Sequence, residues 1–244
     1  MINRRTSTML AVAAYLTTAV PLSAQFPTDV LPPPQFHLSV QAIYGRPVGD
    51  FADHVKEGWG ANFIGSVAVQ PTSPLALHAE GGFLIYGSET NTVCFGGGVG
   101  CRVELDLTTT NSIFYGSLGP ELMPSSGRVR PYVNASIGFA YFSTSSNVEG
   151  TDDEGSFAET TNFDDATFAW GSGGGLLIAL REGRTPVYLD LGARYHANGK
   201  AEYLKEGDIQ DNPDGSISFT PTRSETNLVT YRIGVKIGLR ANQR

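Results

Sequence analysis

Beyond its first two dozen residues this chain has no run of about 18 consecutive apolar side chains, so no transmembrane helix is expected. Charge is scarce too. Asp, Glu, Lys and Arg make up 17% of the 244 residues, against roughly 25% in ordinary soluble domains. Basic charge is the scarcest. The chain carries 17 Lys and Arg against 24 Asp and Glu, and without Arg4 and Arg5 the balance is 15 against 24, a net charge of −9. A nucleic-acid partner is excluded on that ground, because a phosphate backbone needs a basic footprint. Cysteine is almost absent: Cys94 and Cys101 stand in "CFGGGVGC" with no nearby His or further Cys to complete a metal site. The chain lacks G-x-S-x-G, H-E-x-x-H and P-loop motifs. "GSGGG" at 171–175 lacks the Lys of a phosphate cradle. No catalytic residue, metal ligand set or cofactor is therefore assigned.

What is present starts with an export signal. Arg4 and Arg5 precede an apolar run from Met9 to Val20, followed by Leu22-Ser23-Ala24, a small-residue cleavage site. The run is too short to span a bilayer, and Thr17 and Thr18 interrupt it. The expected organisation is a signal peptide at 1–24, a Pro-rich periplasmic tether at 25–35, a β domain at 36–240 and a tail at 241–244. In an oxidising compartment Cys94 and Cys101 are expected to form a disulfide closing a glycine-rich loop.

The rest reads as eight strands of period two. The last shows it best. Val229, Tyr231, Ile233, Val235, Ile237 and Leu239 alternate with Thr230, Arg232, Gly234, Lys236 and Gly238. Similar alternation covers 36–44, 59–69, 75–85, 131–142, 166–180 and 187–197. A segment at 109–119 completes the set without a clear facing. Short turns at 71–74, 121–130 and 181–185 alternate strictly with long stretches at 45–58, 87–108, 143–165 and 198–226. In an up-and-down meander, that places every long loop at one end.

The aromatics of the greasy faces gather at that end: Tyr44, Trp59, Tyr141, Phe168, Trp170, Tyr195 and Tyr231. Amphipathic rings collect at membrane interfaces, so these seven are expected to form an aromatic girdle. The polar faces carry both signs, Glu80 and Asp190 against Arg194, Arg232 and Lys236. Eight strands leave an interior wide enough only for side chains, so these charges are expected to pair there, with glycines making room. The alternative is a soluble sheet with its charges in water.

These features, with "GRPVGDF", "RPYVNASIGFAYF" and "LGARYHANGKAEYL", resemble the small Gram-negative outer-membrane β-barrels, the OmpA-like and OmpX-like superfamily, over roughly 35–240. The resemblance implies an all-β fold, an eight-stranded antiparallel up-and-down transmembrane barrel. It also implies residence in the outer membrane among its lipids and lipopolysaccharide, and insertion by the barrel assembly machinery. Such barrels commonly end in an aromatic residue, whereas here the last greasy residue is Leu239, followed by Arg240.

The expected role is structural or interactive, through four surface loops and a packed polar lumen. A narrow OmpW-like channel is the second reading and a lipid-modifying enzyme the third. Some barrels that deacylate lipid A place a Ser nucleophile two residues after a His. Here His196 is followed by Asn198, which cannot accept an acyl group, and His196 is expected at a wet extracellular rim. The acidic stretch holding Asp208, Asp211, Asn212 and Asp214 does not match a calcium loop and reads as a turn.

Overall fold

The computed structural model describes residues 33–70, 72–95, 103–150, 156–205, 207–211 and 217–240. The export signal, most of the tether, Cys101 with the expected disulfide, Asn212, Asp214 and the tail lie outside the described residues. Alternation of side chains builds twelve strands: β1 (Phe36–Pro47), β2 (Gly58–Ala68), β3 (Leu75–Phe95), β4 (Val103–Leu122), β5 (Val129–Gly150), β6 (Ser156–Arg181), β7 (Val187–Asn198), β8 (Lys200–Tyr203), β9 (Ile209–Asp211), β10 (Ile217–Phe219), β11 (Thr222–Glu225) and β12 (Leu228–Leu239). Eight of them close into one antiparallel barrel in the order β1-β12-β7-β6-β5-β4-β3-β2. The seam joins first strand to last, with Phe36 opposite Leu239 and Tyr44 opposite Tyr231. Closure removes the sheet edges, so every barrel strand pairs on both sides.

The two ends differ as expected in position but not in content. Short turns join β2 to β3, β4 to β5 and β6 to β7. In the last two, Gly127 and Gly183 take φ of 123° and 116°, a region that suits glycine. At the other end, 87–108 and 143–165 are not loops for most of their length. β3 with β4 and β5 with β6 stay paired far past the barrel body, to Phe95 opposite Val103 and to Glu149 opposite Ser156. Thr and Ser dominate these extensions, and the β propensity of Thr continues the ladder without an apolar stripe to announce it. The fourth long connection folds into two small sheets, β8 with β11 and β9 with β10. The first connection holds a single 3-10 turn, Gly49–Asp53.

The strand without an assigned facing, β4, now has one. Phe114, Leu118 and Leu122 point outward, while Asn111, Ile113 and Glu121 are buried inside. Small residues blurred its pattern, since Gly116, Gly119 and Pro120 break both stripes.

Candidate functional site

The outer wall is the first functional surface. Large apolar side chains stand exposed on every barrel strand, among them Leu38, Phe63, Leu77, Leu118, Ile137, Leu180 and Ile233. Their inward neighbours in sequence, such as Ser39, Asn62, His78, Asn134 and Arg232, are buried. A water-soluble protein rarely exposes a contiguous apolar surface beyond a few hundred Å². This wall inverts the ordinary arrangement around the whole circumference.

The seven aromatics of the proposed girdle all lie on that outer face. Trp59 and Phe168 are each 62% exposed, with Trp170 and Tyr231 little less. Tyr195 is also exposed, whereas Tyr44 and Tyr141 are half-buried among neighbours. Register explains the grouping. Tyr44 sits between Trp59 and Tyr231 across two strand pairs, with ring centroids 4.5 and 6.3 Å away. Two further outward aromatics escape the sequence reading. Phe83 and Phe114 are direct partners, 6.4 Å apart, and Phe114 continues to Tyr141 at 6.5 Å. Phe114 belongs to the strand whose facing the sequence leaves unassigned.

The interior is the second surface. Midway along it, Glu80 lies between two guanidinium groups. Its Oε2 accepts from Arg232 Nη1 at 3.1 Å, and its Oε1 is 3.6 Å from Arg194 Nε. Arg194 also donates from Nη1 to Asn134 Oδ1 at 2.9 Å, and from Nη2 to Ser136. Toward the short turns, Lys236 Nζ reaches Glu121 Oε1 at 3.0 Å. The sequence reading places Glu121 in a turn and so misses it.

Asp190 forms no salt bridge with a Lys or Arg among the described residues. It accepts instead from Gln41 Nε2 at 2.7 Å, Tyr132 Oη at 2.8 Å and Ser39 Oγ at 3.1 Å. Three neutral donors satisfy a buried carboxylate as well as one cation would. Tyr132 reaches it because Gly175 and Gly192 leave the space: a Cβ on either would stand 2.8 or 2.7 Å from the Tyr132 hydroxyl. Buried Arg130 donates to the Pro124 carbonyl at 2.7 Å and to Tyr188 Oη at 3.2 Å.

His196 is not at a wet rim. It is buried inside the barrel, its Nε2 is 3.1 Å from Thr230 Oγ1, and its ring meets Tyr115 edge-on at 5.2 Å. Its alternation with Tyr195 points it inward, where it shares a small enclosed space with Leu84, Ile113, Tyr115, Ala140 and Leu228.

Above this polar stack, the loop end is stoppered by apolar side chains. Ile43, Leu84, Ile113, Phe142 and Leu228 from barrel strands meet Phe51 and Val55 of the first loop and Ala201 and Tyr203 of β8. Phe51 packs against Tyr203, Tyr86 and Phe142 at 5.1, 6.0 and 6.1 Å. A second apolar cluster, Met123, Tyr132, Leu177 and Tyr188, occupies the short-turn end. The expected lumen was polar throughout. The inward positions Ile43, Leu84, Ile113 and Phe142 break that expectation near the strand ends, where the 3-10 turn and β8 fold in and cover them.

Three solved structures are similar to this chain. Neisserial surface protein A matches with a TM-score of 0.45 and 12% identity, covering 84% of this chain and 97% of that one. Ail of Yersinia pestis matches with 0.44 and 11%, covering 84% and 98%. A major outer membrane protein from Thermus thermophilus matches with 0.44 and 16%, covering 82% and 98%. No family model and no curated protein matches the chain.

In the acidic fourth loop, Asp208 is held by Lys205 at 3.0 Å, and no group of three or more His, Cys, Asp or Glu able to hold a metal occurs among the described residues.

Proposed function

We propose that this protein is an integral outer-membrane barrel with a sealed interior, acting through the surface at its loop end. One observation carries the reading: the apolar belt that runs around the entire outer wall while both signs of charge are buried within. Lipid is the solvent that suits such a wall, and a closed barrel is one of the two backbone arrangements lipid tolerates. Strand count and loop asymmetry support the same assignment.

The plugged interior favours a structural or interactive role over a channel. Apolar clusters lie at both ends and paired charges fill the middle, so a solute has no continuous polar path. A catalytic role has no support at His196, whose neighbours are Thr230 and Tyr115.

Two experiments test this. Folded barrels migrate faster on gels than boiled ones, and the mature chain is expected to show that heat shift. In planar bilayers the purified, folded protein is expected to give no reproducible conductance steps. Stable steps would return the narrow-channel reading to first place.

A further inference from the structure

Beyond the apolar stopper, the extended parts of β3 to β6 present amide and hydroxyl groups on their inner side. Lys205, Ile209 and Phe219 of the fourth connection stand against them, and a cavity of about 230 Å³ lies between. Its polar groups are oriented by one another. Thr144 Oγ1 donates to Asn111 Oδ1 at 2.6 Å, and Asn162 Nδ2 donates to Ser146 Oγ at 2.7 Å. Those bonds leave Asn111 with an N–H₂ to donate and Asn162 with a carbonyl oxygen to accept. Asn111 turns its Nδ2 toward Gly87, which borders an adjoining cavity of about 410 Å³ that Asn111 and Lys205 also line.

Charge does not dominate the first cavity. The Lys205 ammonium is held by Asp208 at 3.0 and 3.3 Å and by Thr222 at 3.2 Å. The carboxylate of Glu89 accepts from Asn91 at 3.2 Å. The lining of the first cavity therefore carries one carboxylate and one ammonium, each already engaged by a neighbour, and favours neither sign of ion. The lining instead pairs directional amides and hydroxyls on one side with Phe219 and Ile209 on the other. Pockets of this kind hold a ligand by an apolar face and orient it by a few polar groups. A pyranose ring has that build, with hydroxyl edges and a C–H face. The first cavity is below the roughly 300–1,000 Å³ of pockets for drug-sized ligands, so it takes one small unit, and the adjoining cavity has room for the next.

We propose that this cleft binds an uncharged sugar residue, of a free glycan or of the lipopolysaccharide surrounding the barrel. The outer-membrane reading enters only in naming those two sources; the binding rests on the cleft itself. The test uses the folded, isotope-labelled protein in a zwitterionic detergent without a sugar head group. N-acetylglucosamine and galactose are titrated while the side-chain amide signals are followed by NMR. Saturable shifts of Asn111 and Asn162 are expected with at least one sugar. Asn162→Ala and Phe219→Ala should each weaken binding about tenfold, the loss of one good contact, with the gel heat shift intact.

No saturable shift with either sugar would overturn the proposal. So would shifts produced by glucose 6-sulfate alone, which would mark an anion site at Lys205. Repeating the titration in vesicles with and without lipopolysaccharide separates the sources. Loss of the response only where lipopolysaccharide is present assigns the site to its sugars, and an equal response assigns it to a free glycan. Sugar binding by a protein that shows no heat shift would leave the cleft standing and remove the membrane reading.

Discussion

At the scale of single residues, Glu80 has the most to lose. It is buried with two guanidinium groups against it, Arg194 and Arg232. Replacing it by Ala leaves both cations in the interior without their counter-charge. Breaking one buried pair costs about 3–5 kcal/mol, so Glu80→Ala is expected to destabilise the vesicle-embedded barrel by at least that much, read from its urea midpoint. Asp190→Asn should cost less, because its partners are neutral donors and an amide oxygen can keep part of the set. Equal losses for the two would contradict the assigned pairing.

Tyr203 offers a test outside the barrel wall. Burial pushes its phenol above the ordinary value, with the Ser224 hydrogen bond opposing. The folded state therefore favours the neutral phenol. The stabilisation is fully present below the unfolded value of about 10 and fades as pH rises through the folded one. Limited proteolysis of the fourth connection should accelerate above about pH 10, and Tyr203→Phe should remove that part of the acceleration. Cleavage insensitive to pH in the parent protein would show that Tyr203 does not hold the connection down.

At the scale of elements, the first loop acts as a stopper through one side chain. Phe51 is almost fully buried and touches three aromatic rings from three different elements. Phe51→Ala should cost about 3–5 kcal/mol locally, as large-to-small changes in packed cores do. The loss should appear as faster hydrogen exchange in β8 and β11, with the barrel strands unchanged. Uniform acceleration of all strands would mean that the stopper and the barrel are one cooperative unit.

The elements also show what the sequence could reveal. Seven of the eight barrel strands were legible because an exposed apolar wall on one side and packed polar groups on the other enforce strict alternation, as in β7 and β12. β4 was illegible in facing because glycine and proline interrupt its stripes, and with it went Glu121 and Phe114. The extensions of β3 to β6 had no apolar stripe to read, since both of their faces are rich in Ser and Thr. The apolar stopper was hidden for another reason. Phe51 sits in a loop, and its burial depends on β8 folding over it, a contact between residues 152 apart that no local pattern encodes.

At the scale of the whole molecule, the outer wall decides everything else. If it faces lipid, the interior charges are the most desolvated of the described residues, and the loop end is a broad surface open to partners outside. The chain has two tryptophans, Trp59 and Trp170, and both stand exposed on that wall. Their fluorescence therefore reports on the wall without labels or mutations. The decisive measurement is quenching of this emission by brominated lipids in vesicles holding the folded protein. Strong quenching is expected, greater with bromine near the head groups than at mid-chain, because the rings belong to the interface. A protein that stays in solution without detergent, with tryptophan emission unaffected by brominated vesicles, would contradict the account.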